Sequence, residues 1–198
     1  MRDKLRSIVK EAISLGILAL LLFAARSSLA DHYQVPTGSM EYTMVPGDRI
    51  IVDKRVYGLR IPFTDWKLTD APVRRGEVVI FDSPVEDVRL VKRVVAVAGD
   101  TVALRDGRIN LNGKYIHDKK KADVEVFGDR RIKLNLNFGG GPDLTPMHIP
   151  EGFVLTIGDA RGNSRDGRVF GMIQEDLIYG RAVAVYYRSE DGFVWKKL

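Results

Sequence analysis

A serine becomes a nucleophile only when a neighbouring group takes its proton, and Ser39, in the polar turn Pro36-Thr37-Gly38-Ser39-Met40, must find that group elsewhere in the chain. Without it, Ser39 is an ordinary loop serine. The three histidines, His32, His117 and His148, offer no convincing Ser-His-Asp arrangement and follow no metal-ligand spacing. Cysteine is absent, which removes a thiolate nucleophile, a disulfide framework and a cysteine-type zinc site. Lys92 is the better placed base. If Val88 to Gly99 is a strand, alternation puts Val88, Leu90, Lys92, Val94 and Ala96 on one face, with Lys92 the single polar group on an apolar row. Two readings fit. A lysine on an edge strand can lay its stem along apolar surface and keep its head in water. Alternatively, low dielectric disfavours the ammonium and lowers its pKa until a neutral amine exists near neutral pH, as a lysine base requires.

A second polar cluster, Gly158-Asp159-Ala160-Arg161-Gly162-Asn163-Ser164-Arg165-Asp166-Gly167-Arg168, is dense in turn formers and in side chains that bond locally. Taken alone it is either a structural turn held by Asp-Arg pairs or one wall of a site.

The elements that must position these groups are β. Arg49 to Val52, after Pro46-Gly47-Asp48, predicts a short buried strand, and Gly76 to Phe81 repeats the form before Asp82-Ser83-Pro84. Between them Tyr57 to Ala71 is a Gly- and Pro-punctuated loop with Ile61-Pro62-Phe63 and Trp66. Asp106-Gly107 predicts a hairpin joining Thr101–Arg105 to Arg108–Leu111. The region 114–149 changes character, with Lys119-Lys120-Lys121, one alternating strand through Ile132, Leu134, Leu136 and Phe138, and then Gly139-Gly140-Gly141-Pro142. It predicts a smaller β-rich insertion. Glu151 to Ile157, Ala182 to Tyr187 and Gly192 to Trp195 complete the strands.

Ahead of this domain, Ala12 to Ala30 carries a single charge, Arg26, and is long enough to span a bilayer as a helix of about 28 Å at 1.5 Å per residue. Arg2, Lys4, Arg6 and Lys10 outnumber Asp3 and Glu11 before it, so the expected topology is an N-terminus in the cytoplasm and residues 31–198 outside. A cleaved signal peptide is the rival, since Ser28-Leu29-Ala30 has the small residues of a cleavage site. Residues 31–38 then read as a short linker, holding Ser39 within about 30 Å of the membrane boundary. The 31 basic and 26 acidic residues leave a net charge of +5, but they are interspersed, with no long basic block and no recognisable nucleic-acid motif. A phospholipid membrane is the expected partner and nucleic acid is not.

These blocks, in this order, resemble the bacterial type I signal peptidases, a membrane-anchored Ser/Lys protease family. Pro36 to Met40 is similar to the family's nucleophile motif, Gly47 to Val52 to the strand after it, and Val91-Lys92-Arg93-Val94-Val95 with Gly99-Asp100 to its lysine motif. Gly158-Asp159 with Arg161, Asn163-Ser164, Asp166, Arg168 and Gly171 is similar to its last block. The resemblance implies an antiparallel β catalytic domain in the plasma membrane, anchored by one helix and cleaving signal peptides from exported preproteins after small residues. Ser39 would be the nucleophile and Lys92 the base. Ser164 would orient the lysine, the Ser39 N–H and Thr37 hydroxyl would form the oxyanion hole, and Asp159, Arg161, Asp166 and Arg168 would be scaffold ion pairs. No cofactor or metal is implied.

The sequence departs from the family pattern in placing Tyr42 where proline is usual, and Ala160, Gly162 and Gly167 where polar side chains are usual. The three small residues predict a looser loop around Ser164. A relative dedicated to one conjugation or pilus substrate fits the same residues. So does a membrane-tethered binding module with a decayed site, although retention of both Ser39 and Lys92 argues against it.

Overall fold

The computed structural model describes residues 10–18, 30–57 and 71–198. Residues 10–18 are helical, with Ile13, Leu15, Ile17 and Leu18 exposed. The predicted span over 12–30 falls largely on residues 19–29, outside the described residues. Among those described, no helix is long and apolar enough to cross a membrane. The aromatic loop with Phe63 and Trp66 also lies outside them.

The strands run, in chain order, β1 (Ala30–Gln34), β2 (Arg49–Asp53), β3 (Val78–Asp82), β4 (Arg89–Ala96), β5 (Thr101–Arg105), β6 (Arg108–Leu111), β7 (Lys114–Tyr115), β8 (Val124–Phe127), β9 (Arg130–Lys133), β10 (Leu144–His148), β11 (Phe153–Ile157), β12 (Ile173–Gln174), β13 (Ile178–Arg188) and β14 (Gly192–Lys197). The main sheet is antiparallel, in the order β1-β2-β13-β3-β4-β11-β12, with β14 also paired to β13. A second sheet, β10-β5-β6-β7, and the β8–β9 hairpin make up the rest. The second sheet therefore takes in Thr101–Leu111 together with Leu144–His148. The chain is mostly β and antiparallel, with only short helical turns elsewhere among the described residues.

Three predictions need correction. Residues 31–34 are not linker: β1 pairs residue by residue with β2, from Ala30 opposite Asp53 to Gln34 opposite Arg49, so the chain joins the sheet before it reaches Ser39. The apolar row around Lys92 is shorter than alternation predicts. Val88 is 47% exposed ahead of β4, and Ala96 packs in a different cluster from Leu90 and Val94, because the β4–β11 register shifts between Leu155 and Thr156. The strand expected through Phe138 stops at Lys133. There Asn135 turns the chain, its side-chain oxygen accepting from the Asn137 N–H at 3.0 Å, and Phe138 ends exposed.

Among the described residues the core forms three clusters. One, built on Val35, Met40, Met44, Ile50, Val78 and Ile80, lies directly under the Ser39 turn. Another holds Val95, Leu104, Ile109, Leu155 and Ile157 between the two sheets. Met40 and Met44 are fully buried, and each contributes roughly 1.5–3 kcal/mol to holding that turn on the sheet.

Candidate active site

Ser39 sits in a single 3₁₀ turn, Gly38–Met40, between Thr37 in extended conformation and Met40 in the core. The loop carrying it is tied at both ends. Val35 N–H donates to the Asp48 carbonyl and Gly47 N–H to the Val35 carbonyl, both at 2.8 Å. The Asp48 side chain is buried, accepts from Val45 N–H at 3.0 Å, and takes two 2.9 Å bonds from Arg188. Burial pushes the Asp48 carboxyl up, but the Arg188 bonds prevail and hold it below its ordinary range.

Lys92, central in β4, reaches this turn. Its Nζ is 2.9 Å from Ser39 Oγ and 3.0 Å from the Val91 carbonyl, and the residue is 3% exposed. Desolvation drives its pKa down from 10.5 to about 8, while the negative charges of Asp166 and Asp159 pull the other way. The edge-strand alternative fails on geometry, since β4 lies between β3 and β11 in the sheet. Thr37 is exposed beside the serine and donates its hydroxyl to Ser39 Oγ at 3.3 Å.

The 158–168 loop forms the second wall. Ala160 N–H donates to the Ser39 carbonyl at 3.1 Å. Asp159 is held by Arg93 through Nε at 2.8 Å and Nη2 at 2.7 Å, and by the Thr43 hydroxyl. Asp166 accepts from Arg168 through Nε and Nη2, both at 2.8 Å, and from Gly158 N–H at 2.9 Å. Burial pushes Asp166 up, yet the Arg168 bonds and charge and the Gly158 N–H hold it below its usual value. Ser164 Oγ is buried and has no partner of normal hydrogen-bond geometry, to Lys92 or to any other group among the described residues. It lies against Gly158, next to the Ser39 carbonyl: a Cβ at Gly158 would come 2.2 Å from Ser164 Oγ and 2.6 Å from Ser39 O.

The sequence matches the family described as signal peptidase, peptidase S26, over residues 7–187. The chain belongs to this family. It is therefore a serine endopeptidase of the signal peptidase I type. It is 31% identical to signal peptidase I of Bacillus licheniformis, across 90% of this chain and 87% of that protein. With signal peptidase I of Pseudomonas aeruginosa it shares 31% identity over 86% of this chain and 69% of the relative, and with signal peptidase I T of Bacillus subtilis 30% over 89% and 83%. A crystal structure of a signal peptidase I from Enterococcus faecalis aligns with 57% of this chain and 98% of that one, at 23% identity and a TM-score of 0.43.

In this S26 peptidase the small residues of the last block serve close approach. A Cβ on Gly162 would sit 1.9 Å from the Phe138 carbonyl oxygen, and one on Gly167 would sit 2.6 Å from Leu155 Cδ1, while Ala160 is fully buried. These positions fasten the Ser164 loop, contrary to the looseness that glycine alone predicts. Sequence reasoning left out the partners: Arg93 for Asp159, Glu125 for Arg161, and Asn135, which bonds Glu41. A signal for one was present. Glu125 in Val124-Glu125-Val126-Phe127 is a lone charge in an apolar run, the pattern that singles out Lys92.

Proposed function

We propose that this enzyme is a signal peptidase I that cuts signal peptides from exported preproteins at the membrane surface, using Ser39 as nucleophile and Lys92 as general base. The observation that carries the reading is the 2.9 Å contact between Lys92 Nζ and Ser39 Oγ, in a site dry enough to bring the lysine to about 8. When Lys92 is neutral the contact reverses, and Ser39 O–H donates to the nitrogen lone pair. Ser39 Oγ then bonds the scissile carbonyl carbon as its proton passes to Lys92. The resulting ammonium protonates the leaving amine as the C–N bond breaks. Water attacks the acyl-serine ester in the same way, its proton going to Lys92 and on to Ser39 Oγ.

The oxyanion is met by the Ser39 N–H and by the Thr37 hydroxyl, which rotates from Ser39 Oγ toward the substrate oxygen; losing one such donor typically costs about 10²- to 10³-fold. Ser164, packed against Gly158 beside the Ser39 carbonyl, orients the amine as the family resemblance implies. Asp159, Arg161, Asp166 and Arg168 hold the scaffold. Substrate lies as an extended strand with small residues before the cut, and the segment over 12–30 anchors the enzyme so that Ser39 works close to the bilayer. The test is cleavage of a panel of preproteins by detergent-solubilised enzyme. Wild type should release mature protein and Ser39→Ala should not; activity retained by Ser39→Ala would refute the assignment, and cleavage of only one panel member would mark a dedicated enzyme.

A further inference from the structure

The β8–β9 hairpin lies outside the Ser39 and Lys92 elements, yet it grips both loops of the site. Glu125 on β8 is fully buried and forms a two-pronged pair with Arg161, Oε1 to Nη1 at 2.8 Å and Oε2 to Nη2 at 2.6 Å. Arg161 opens the turn that leads to Ser164, and its remaining donors go to the Gly107 and Gly158 carbonyls. Just past β9, Asn135 is 3% exposed and bonds the same turn from its backbone. Its N–H donates to the Asp159 carbonyl at 3.0 Å and its carbonyl accepts from Arg161 N–H at 3.1 Å. Its side-chain NH₂ reaches the other loop, donating to Glu41 Oε2 at 3.0 Å, two residues beyond Ser39. Glu41 is pressed in turn against Gly38, where a Cβ would come 2.7 Å from Glu41 Oε1.

We infer that Glu125 and Asn135 are positioning residues for the peptidase reaction: the hairpin sets the distance between the Ser39 turn and the Ser164 loop, and through it the approach of Ser39 to Lys92. This rests on the Ser39–Lys92 reading. The physical reason is that both walls of the site are single turns with few internal bonds, joined directly by the Ala160-to-Ser39 bond and by the Thr43 hydroxyl on Asp159. Asn135 adds a tie that bonds both walls at once, through its backbone to Asp159 and Arg161 and through its side chain to Glu41, and Glu125 clamps the turn with a charge-assisted fork. Misplacement of a base by about 1 Å can cost 10²-fold in rate, so a brace of this kind acts on turnover.

The experiment uses the full-length enzyme in detergent, measuring kcat and KM on one preprotein together with thermal unfolding. Asn135→Ala leaves Glu41 half-exposed to water and should fold; its kcat should fall about tenfold or more, with KM within about twofold. Glu125→Gln strands a buried guanidinium and is expected to unfold readily, so Glu125→Leu combined with Arg161→Met removes both charges; such replacements are often neutral or stabilising. That double variant should recover thermal stability but stay at least tenfold low in kcat. Recovery of wild-type kcat along with the fold, or wild-type kcat in Asn135→Ala, would overturn the inference. Ser39→Ala run alongside separates the two readings: a dead Ser39→Ala beside fully active brace variants rejects the brace alone, whereas an active Ser39→Ala rejects the mechanism beneath it.

Discussion

At the scale of single residues, the chemistry turns on how much it costs to bury one amine. Bringing Lys92 from 10.5 to about 8 corresponds to roughly 3 kcal/mol at 1.36 kcal/mol per unit. The folded state binds this proton more weakly than the unfolded chain does. The cost is therefore present in full below about pH 8, fades as pH rises toward 10.5, and is gone above it. Lys92→Met, which keeps the stem and drops the charge, should raise stability at pH 7 by up to a few kcal/mol, with the gain shrinking between pH 8 and 10.5; denaturant midpoints across pH measure this. In the proposed mechanism the same titration governs rate. With the neutral amine as base, kcat/KM for preprotein should climb with pH through an apparent pKa of about 8 and then level; a flat profile from pH 6 to 9 would exclude Lys92 as that base.

At the scale of elements, the Ser39 turn and the 158–168 loop hold their shape through contact with neighbours more than through internal bonds. Gly162→Ala should show this, because its Cβ would meet the Phe138 carbonyl oxygen at 1.9 Å and backbone must yield. A loss of roughly 1–3 kcal/mol in urea unfolding, accompanied by reduced turnover, is expected. The strands around the site were legible because each is a run of apolar residues between turn formers, as at Arg49–Asp53 and Val78–Asp82. Ser39, Lys92 and the last loop were legible from residue type and order, and the structure brings all three together. What could not be read was pairing. Asp159 carries three possible arginines nearby in sequence, Arg161, Arg165 and Arg168, but its partner is Arg93, 66 residues away. β1 was missed because Asp31-His32-Tyr33-Gln34 is polar and joins the sheet through backbone bonds to β2, which no apolar pattern announces.

At the scale of the whole molecule, Lys92 sits inside the main sheet on β4, and the chain enters that sheet through β1 as soon as the proposed anchor ends. If residues 1–11 are cytoplasmic, as the charge pattern predicts, protease added outside spheroplasts should digest the domain and leave a short protected fragment. Recovery of a mature protein starting at Asp31 would instead show that the apolar segment is removed. The central claim is that Lys92 works as a neutral base on Ser39, and the most direct measurement of it is preprotein cleavage by Lys92→Arg from pH 6 to 10. Guanidinium keeps its charge over that whole range and cannot accept the Ser39 proton. The folded variant is predicted to show no turnover at any pH, and turnover near the wild-type rate would contradict the mechanism.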